Sequence, residues 1–223
     1  MTVASASRVD CAARAAAEQM RLDSEAAAAC AAGMRFFLWS PPAVSLGWKQ
    51  PVPEWLHSPA WQDSGLQWTE RPTAGGAAFH GTDVSLSLVV PQSEQPSLRG
   101  LMARVCESAA RLCRRFGVAA EACTDLPSAG RVTVCLAQPS PYAVLVDGRK
   151  VAGFGARRYP RAWLVQGSLL VNELPAALAA ALPENVRSEL EARALPLAAA
   201  AKTALSEEDA AHAWAEQWET DAL

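Results

Sequence analysis

The sequence predicts an α+β fold, and three observations predict it. β-rich runs at 83–90, 132–137 and 142–146 alternate along the chain with helical runs at 9–32, 96–117 and in the tail. Asp147-Gly148 follows directly on one of those β-rich runs, and this dipeptide suits the two positive-φ positions of a type I′ turn, so at least one strand pair is antiparallel. At 223 residues the chain is long enough to bury a substantial core. It reads as one domain over 1–223, with 174–223 as a C-terminal helical portion.

In chain order, 9–32 is dominated by Ala, Glu, Met, Arg and Leu, whose summed propensity favours a helix with Gly33 as its C-cap. The aromatic run 34–39 reads as a strand that Pro41-Pro42 stops, and 43–46 begins another. Prolines and polar residues between Trp48 and Trp68 suit a surface excursion with a short helix at 53–56, its Trp55 and Trp61 read as core. Alternation over 83–90, ahead of Pro91, marks a strong strand. Over 96–117, Leu101, Val105, Leu112 and Phe116 recur at helical spacing with arginines on the other positions, and Gly117 ends the run. The segment 138–141, Gln-Pro-Ser-Pro, separates two β-rich runs, because its prolines neither continue a helix nor donate to a ladder. Tyr159-Pro160-Arg161 turns into a strand at 162–171. The tail is helical in two or three pieces punctuated by Pro183 and Pro196, and Ser206-Glu207-Glu208-Asp209 is a capping box for a last helix whose Trp214 and Trp218 share a face.

Composition narrows the function. The net charge is −3 and no polybasic run occurs, which argues against nucleic acid as a partner. Charged residues interrupt the alanine-rich first 33 positions, and no stretch approaches the ~20 apolar residues that span a bilayer, so a cytoplasmic protein without a membrane partner is expected. The six cysteines (Cys11, Cys30, Cys106, Cys113, Cys123 and Cys135) form no CxxC pair and have no His-rich neighbours, so neither a metal site nor a disulfide framework is expected. Cys106 and Cys113, seven apart on one helix face, read as small buried hydrophobes.

Chemistry concentrates around Cys135 and Lys150. A two-residue hairpin sets Leu145 opposite Lys150 and Val144 opposite Val151. If 132–137 pairs antiparallel with 142–146, Cys135 lies near Val144, about 10 Å of backbone from Lys150 across two strand spacings. A lysine covers much of that gap, and an ammonium beside a thiol lowers its pKa and yields a nucleophile. Taken singly, Cys135 is a buried strand cysteine and Lys150 an exposed hairpin lysine.

Three motifs in order carry a resemblance to a known family. Ser45-Leu46-Gly47-Trp48-Lys49-Gln50 resembles an SLGxxQ strand and turn. The run from Arg71 to His80, RPTAGGAAFH, resembles an RPTGGRAVLH substrate loop. Cys135-x-x-x-Pro139-Ser140-x-Tyr142, followed by Asp147-Gly-Arg-Lys-Val-Ala-Gly153, resembles the lipoate-protein ligase and octanoyltransferase branch of the biotin/lipoate ligase superfamily, closest to its cysteine-dependent octanoyltransferases. The resemblance implies a mixed, largely antiparallel sheet flanked by helices. It implies Cys135 and Lys150 as catalytic residues and Arg71, Thr73, Gly75, Gly76, His80, Gly153 and Gly167 as substrate-binding ones, with His80 also available for proton transfer. Asp23, on a first helix similar to the family's, is read as a solvated carboxylate, with an orienting acid as the alternative. Trp55 and Trp61 have an acyl channel as theirs. The chain departs from the pattern at Ala74, which stands for a glycine, at Phe154, which stands in a small-Ala-Gln string, and at Gln166, which stands for a histidine.

The activity so implied is transfer of an octanoyl or lipoyl group from acyl carrier protein to the lysine of a lipoyl domain, through a Cys135 thioester and without cofactor. Glycine cleavage H protein and 2-oxoacid dehydrogenase subunits are the acceptors that the family suggests. One alternative is an ATP- and Mg-dependent lipoate ligase acting through lipoyl-AMP. Another, motivated by the three departures, is a non-catalytic paralogue that binds lipoyl domains. Arg149, Arg157, Arg158 and Arg161 flank the expected site in an otherwise acidic chain and are read as the docking face for acidic carrier proteins, or else as solvated charges.

Overall fold

A computed structural model describes residues 7–95, 97–125 and 132–222. Pro96, the first residue of the expected 96–117 helix, lies outside the described residues. Strand β1 (Ser7–Asp10) leads into helix α1 (Ala16–Ala29), then β2 (Gly33–Phe37) and β3 (Ala43–Leu46). A 3-10 turn (Glu54–His57), helix α2 (Pro59–Asp63), β4 (Gln67–Glu70), β5 (Ala78–His80) and β6 (Asp83–Pro91) follow. Helix α3 (Leu98–Arg115) precedes β7 (Glu121–Cys123), β8 (Ala143–Val146), β9 (Arg149–Arg158) and β10 (Ala162–Leu170). Four helices close the chain: α4 (Ala176–Ala181), α5 (Glu184–Arg193), α6 (Leu197–Ala201) and α7 (Glu207–Ala222). No helix among the described residues is long and apolar enough to cross a membrane.

The strands form a large sheet in the order β1-β2-β6-β10-β9-β8-β7 and a small one in the order β4-β3-β5. Within the large sheet only the β1–β2 pair is parallel; the small sheet has one parallel and one antiparallel pair. The fold is therefore the expected mixed, largely antiparallel sheet flanked by helices. Helices α3 and α7 cover one face, where Leu101, Val105, Leu112 and Trp214 pack on Phe36, Leu86, Leu88 and Val165. A second apolar cluster joins the small sheet to α4 and α5 through Val44, Phe79, Leu178 and Leu190. Trp55 and Trp61, edge to face at 5.5 Å, pack with that cluster, so their core reading holds.

Several local expectations are corrected. Residues 7–10 add a strand to the sheet edge, so the first helix starts only at Ala16. Its C-cap is Cys30, left-handed at φ 57, and Gly33 opens β2 instead, because the Ala31 N–H reaches Ala26 O and closes the helix three residues sooner. The 132–137 run is not a ladder strand. Ala77 receives the Cys135 N–H and donates to Thr133 O, a single bridge, while the Gln138 side-chain oxygen accepts the Thr133 and Val134 N–H groups and folds the segment into a turn. Val134 and Leu136 are held by the second apolar cluster, so their β-favouring side chains are buried without a strand. The partner of β8 is β7, with Cys123 opposite Ala143. The hairpin turn forms as expected, with φ 50 at Asp147 and 74 at Gly148, and Leu145 faces Lys150. One residue on, a bulge sets Val144 opposite Ala152 rather than Val151. The tail makes four helices rather than two or three, and the Ser206 hydroxyl caps the last by accepting the Asp209 N–H at 3.0 Å.

Candidate active site

A cavity of about 310 Å³ lies between the two sheets. Ser85, Gly153, Gly155, Gln166 and Ser168 line it from the large sheet, Ser45, Ala78 and His80 from the small one, and Arg71, Ala74, Gly75 and Cys135 from the connecting loops. Apolar side chains, among them Met20, Phe37, Trp39, Met102 and Phe154, complete a wall suited to an aliphatic chain.

Cys135 and Lys150 meet here, by a route other than strand pairing. Lys150 is 4% exposed, and its ammonium donates to the Cys135 carbonyl at 2.9 Å and to Ser140 Oγ at 2.6 Å, so the Pro139-Ser140-Pro141 loop curls back to hold it. Two of its three N–H groups are thus fixed beside the cysteine. Burial pushes the Lys150 pKa down from its ordinary value, and the nearby Cys135 sulfur works against that. Arg71 experiences the same two influences in the same order. A Cβ built on Gly153 would stand 3.4 Å from Cys135 Sγ, so glycine there leaves the sulfur uncrowded. Cys106 and Cys113 lie fully inside the helical core, where burial raises each thiol to about 12 and leaves it inert.

The RPTAGG loop is braced from within. Arg71 donates through Nη1 to Ser45 O (2.9 Å) and Ser45 Oγ (3.2 Å), and through Nη2 to Ala74 O (3.2 Å) and Gly76 O (2.8 Å). Both ends of its fork are committed to the protein. Gly75 carries the positive φ of this loop, +119, and a Cβ there would stand 2.5 Å from Arg71 Nη2. Ala74 has no positive φ and is unstrained in the glycine's place. A Cβ at Gly76 would collide with Thr133 at 2.6 Å, the contact that lets the loop seat Cys135.

Gln166, in the position of the missing histidine, joins a buried chain. The Thr73 hydroxyl donates to Gln166 Oε1 (2.8 Å), Gln166 Nε2 donates to Asp23 Oδ2 (2.6 Å), and Arg35 donates to Asp23 Oδ1 (2.6 Å). Asp23 is 2% exposed, so the solvated reading is corrected; its partners lie on β2 and β10 rather than in water. Arg35 also donates to Gln19 Oε1 (2.5 Å) on α1, and nothing in the sequence pattern announces Arg35 or Gln19 as members, since both stand in segments with apolar or helical character. Gly167 lies under Phe154, whose ring carbon would be 2.0 Å from an added Cβ, and that ring meets Trp214 edge to face at 6.4 Å.

His80 lines the cavity with both ring nitrogens engaged, Nε2 with Ser45 Oγ and Nδ1 with Asp83 Oδ2, each at 2.8 Å. The four arginines expected to act together are split. Arg157 stacks on the exposed Trp48 (4.2 Å) and donates to Pro72 O at the loop, and Arg158 and Arg161 share its exposed end of the β9–β10 hairpin. Arg149 stands eight residues back along β9, about 26 Å of strand away, bonded to the Glu191 and Ala194 carbonyls of the α5 end.

Residues 15–219 match the family model of the lipoyl protein ligase A/B catalytic domain. The chain belongs to this family. It is 30% identical to octanoyltransferase LipM of Kyrpidia tusciae over 170 residues, covering 70% of this chain and 62% of that one, so it spans less than two thirds of the relative's length. Two solved structures share its fold. A Thermoplasma acidophilum protein with bound lipoic acid superposes with a TM-score of 0.74 at 18% identity, covering 96% of this chain and 84% of its own. A bi-partite lipoate protein ligase from the same organism, described with its E2 lipoyl domain, gives 0.67 at 16% identity, with 96% and 82% covered.

Proposed function

We propose that the chain is an acyltransferase of the octanoyl type that works through a thioester on Cys135. The observation that carries this reading is the placement of Cys135 at an acyl-sized, largely apolar cavity, with the buried Lys150 ammonium fixed on its carbonyl and Arg71 close by. Positive charge beside a partly exposed sulfur is the setting in which cysteine acts as a nucleophile. The thiolate attacks the carbonyl of an octanoyl or lipoyl thioester, and the donor's sulfur leaves as a thiol. The amine of an acceptor lysine then attacks the Cys135 thioester, forms an amide and releases the Cys135 sulfur. Lys150, with one N–H beyond the two it spends on the protein, faces the developing oxyanion in both steps. The acceptor is read as a lipoyl domain, by likeness to the ligase described with its E2 lipoyl domain, and the donor as acyl carrier protein, as the resemblance of the Cys135 motif implies; the octanoyltransferase relatives support the octanoyl group. The exposed Trp48, Arg157 and Arg158 are the docking residues proposed for such acidic partners. Neither step consumes a nucleotide.

The test is intact mass after incubation with octanoyl-acyl carrier protein without ATP, beside Cys135→Ser. An octanoyl adduct that hydroxylamine removes and that needs Cys135 is the expected result. Activation of free octanoate or lipoate only when ATP and Mg are supplied would select the ligase. Binding of a lipoyl domain with neither activity would select the non-catalytic reading.

A further inference from the structure

His80 offers a proton arrangement that its hydrogen bonds define. Arg71 can only donate, and its Nη1 already points at Ser45 Oγ from 3.2 Å, so that bond occupies an acceptor site of the hydroxyl. Asp83, its carboxyl held ionised, can only accept, so the ring's Nδ1–H donates to it at 2.8 Å; in the neutral imidazole Nε2 is then the acceptor, and the Ser45 O–H donates to it at 2.8 Å. Asp83 closes the chain, accepting also from Ser85 Oγ (2.9 Å), Ser168 Oγ (2.6 Å) and the Gly81 N–H (3.1 Å). Trp39 covers one face of the imidazole, its ring stacked at 4.0 Å, and donates to Ser85 Oγ at 2.8 Å. Ser45, His80 and Asp83 are each at most 3% exposed.

The order of donors and acceptors has the form of a serine–histidine–aspartate triad, but its output differs. The hydroxyl is held under a guanidinium whose fork ends on Ala74 O and Gly76 O, the two carbonyls that flank Gly75. What the chain of bonds fixes is therefore the shape of the glycine loop. We infer that His80 is a positioning residue: through Ser45 it locks the Arg71 fork, and the fork holds the Gly75–Gly76 turn in the conformation that seats Cys135 against Ala77. Neither ring nitrogen is free to exchange a proton with Cys135 while this relay is intact. A loss of about 1 Å in loop placement is enough to slow a reaction on the order of 100-fold, so the relay bears on the rate although none of its members need touch the reacting sulfur.

The kinetic part of this inference rests on the thioester reading, and the experiment separates the two. Cys135 acylation by a small octanoyl thioester is followed by intact mass for the wild-type protein, His80→Leu, Ser45→Ala and His80→Gln, while amide hydrogen exchange is followed over 74–78, with α3 as the measure of global stability. Glutamine can accept from Ser45 through its carbonyl and donate to Asp83 through its amide, but it cannot act as an acid or base. The expected result is acylation slowed about 10- to 100-fold and faster exchange confined to 74–78 in His80→Leu and Ser45→Ala, with both readouts near wild type in His80→Gln. A glutamine variant as slow as the leucine one, with a protected loop, would make His80 an acid–base group and overturn the inference. So would wild-type exchange at 74–78 in Ser45→Ala and His80→Leu. If the wild-type protein takes up no acyl group, the thioester reading fails, and the relay stands or falls on the exchange pattern alone.

Discussion

The two faces of the large sheet are built from the same strands and do different things. On β6, Val84, Leu86 and Leu88 pack in the cluster with α3 and α7, Leu86 also reaching the cavity, while Asp83 and Ser85 point to the other side; on β10, Val165 and Leu169 alternate with Gln166 and Ser168 in the same way. Such alternation ordinarily marks a strand with one face in water. Here both faces are buried. The apolar face supplies non-directional stabilisation. The polar face has to give its buried groups partners, and it pairs Gln166, Asp83, Ser85 and Ser168 through the Asp23–Arg35–Gln166–Thr73 chain and the Asp83 cluster. The comparison teaches that order at the site comes from directional bonds that must all be made, whereas the opposite face tolerates local loss.

The largest effect that would break this comparison is expected at Asp23. Asp23→Ala leaves the Arg35 guanidinium, 5% exposed, without its principal carboxylate, and denaturant unfolding should show a loss of roughly 3–5 kcal/mol, with disturbed acylation because Gln166 and Thr73 lose their anchor. Next comes Leu88→Ala on the apolar face, a cavity-creating change expected to cost about 2–5 kcal/mol while the acyl adduct on Cys135 still forms in the folded fraction. Equal damage to acylation from both variants, measured well below their unfolding midpoints, would erase the distinction between the faces.

The smallest expected effect is a slope. Burial raises the Asp83 carboxyl, but the attraction of the His80 ring and its hydrogen bond, with those from Ser168 and the Gly81 N–H, hold it below the ordinary value of 3.8. The unfolded chain therefore binds this proton first as pH falls, and the stability contributed by the ionised group is complete above about pH 4 and is lost as pH falls through the lowered folded value. Asp83→Asn should flatten that part of the acid limb of a stability-against-pH profile. An unchanged acid limb would remove Asp83 from the titrating groups that matter.

Much of the fold is legible in the sequence alone. The Asp147-Gly148 turn, the 98–115 helix and the strands at β2, β3, β6, β8 and β10 follow from short-range chemistry: positive-φ tolerance, helical spacing, alternation and proline stops. The candidate site was legible as motifs, with Cys135, Lys150, Arg71 and Gly153 brought to one cavity or its edge. The path between Cys135 and Lys150 was not, because the β-favouring side chains of Val134 and Leu136 serve a turn against the small sheet as readily as a ladder. Arg149 read as a neighbour of Arg157 because both flank one glycine-rich strand, yet an extended strand carries its two ends far apart.

By itself, the sequence determined the alternation of strands and helices, the hairpin that delivers Lys150 and the family to which the motifs point. Each depends on residues within a few positions of one another. Only the tertiary structure decided which buried polar groups are partners: Ser45 with His80, Thr73 with Gln166, and Asp23 with both Arg35 and Gln166. The Thr73–Gln166 and Asp23–Gln166 contacts join residues 93 and 143 positions apart. A side chain's capacity to donate or accept is written in its type, but its partner is chosen by whichever strand the fold lays beside it.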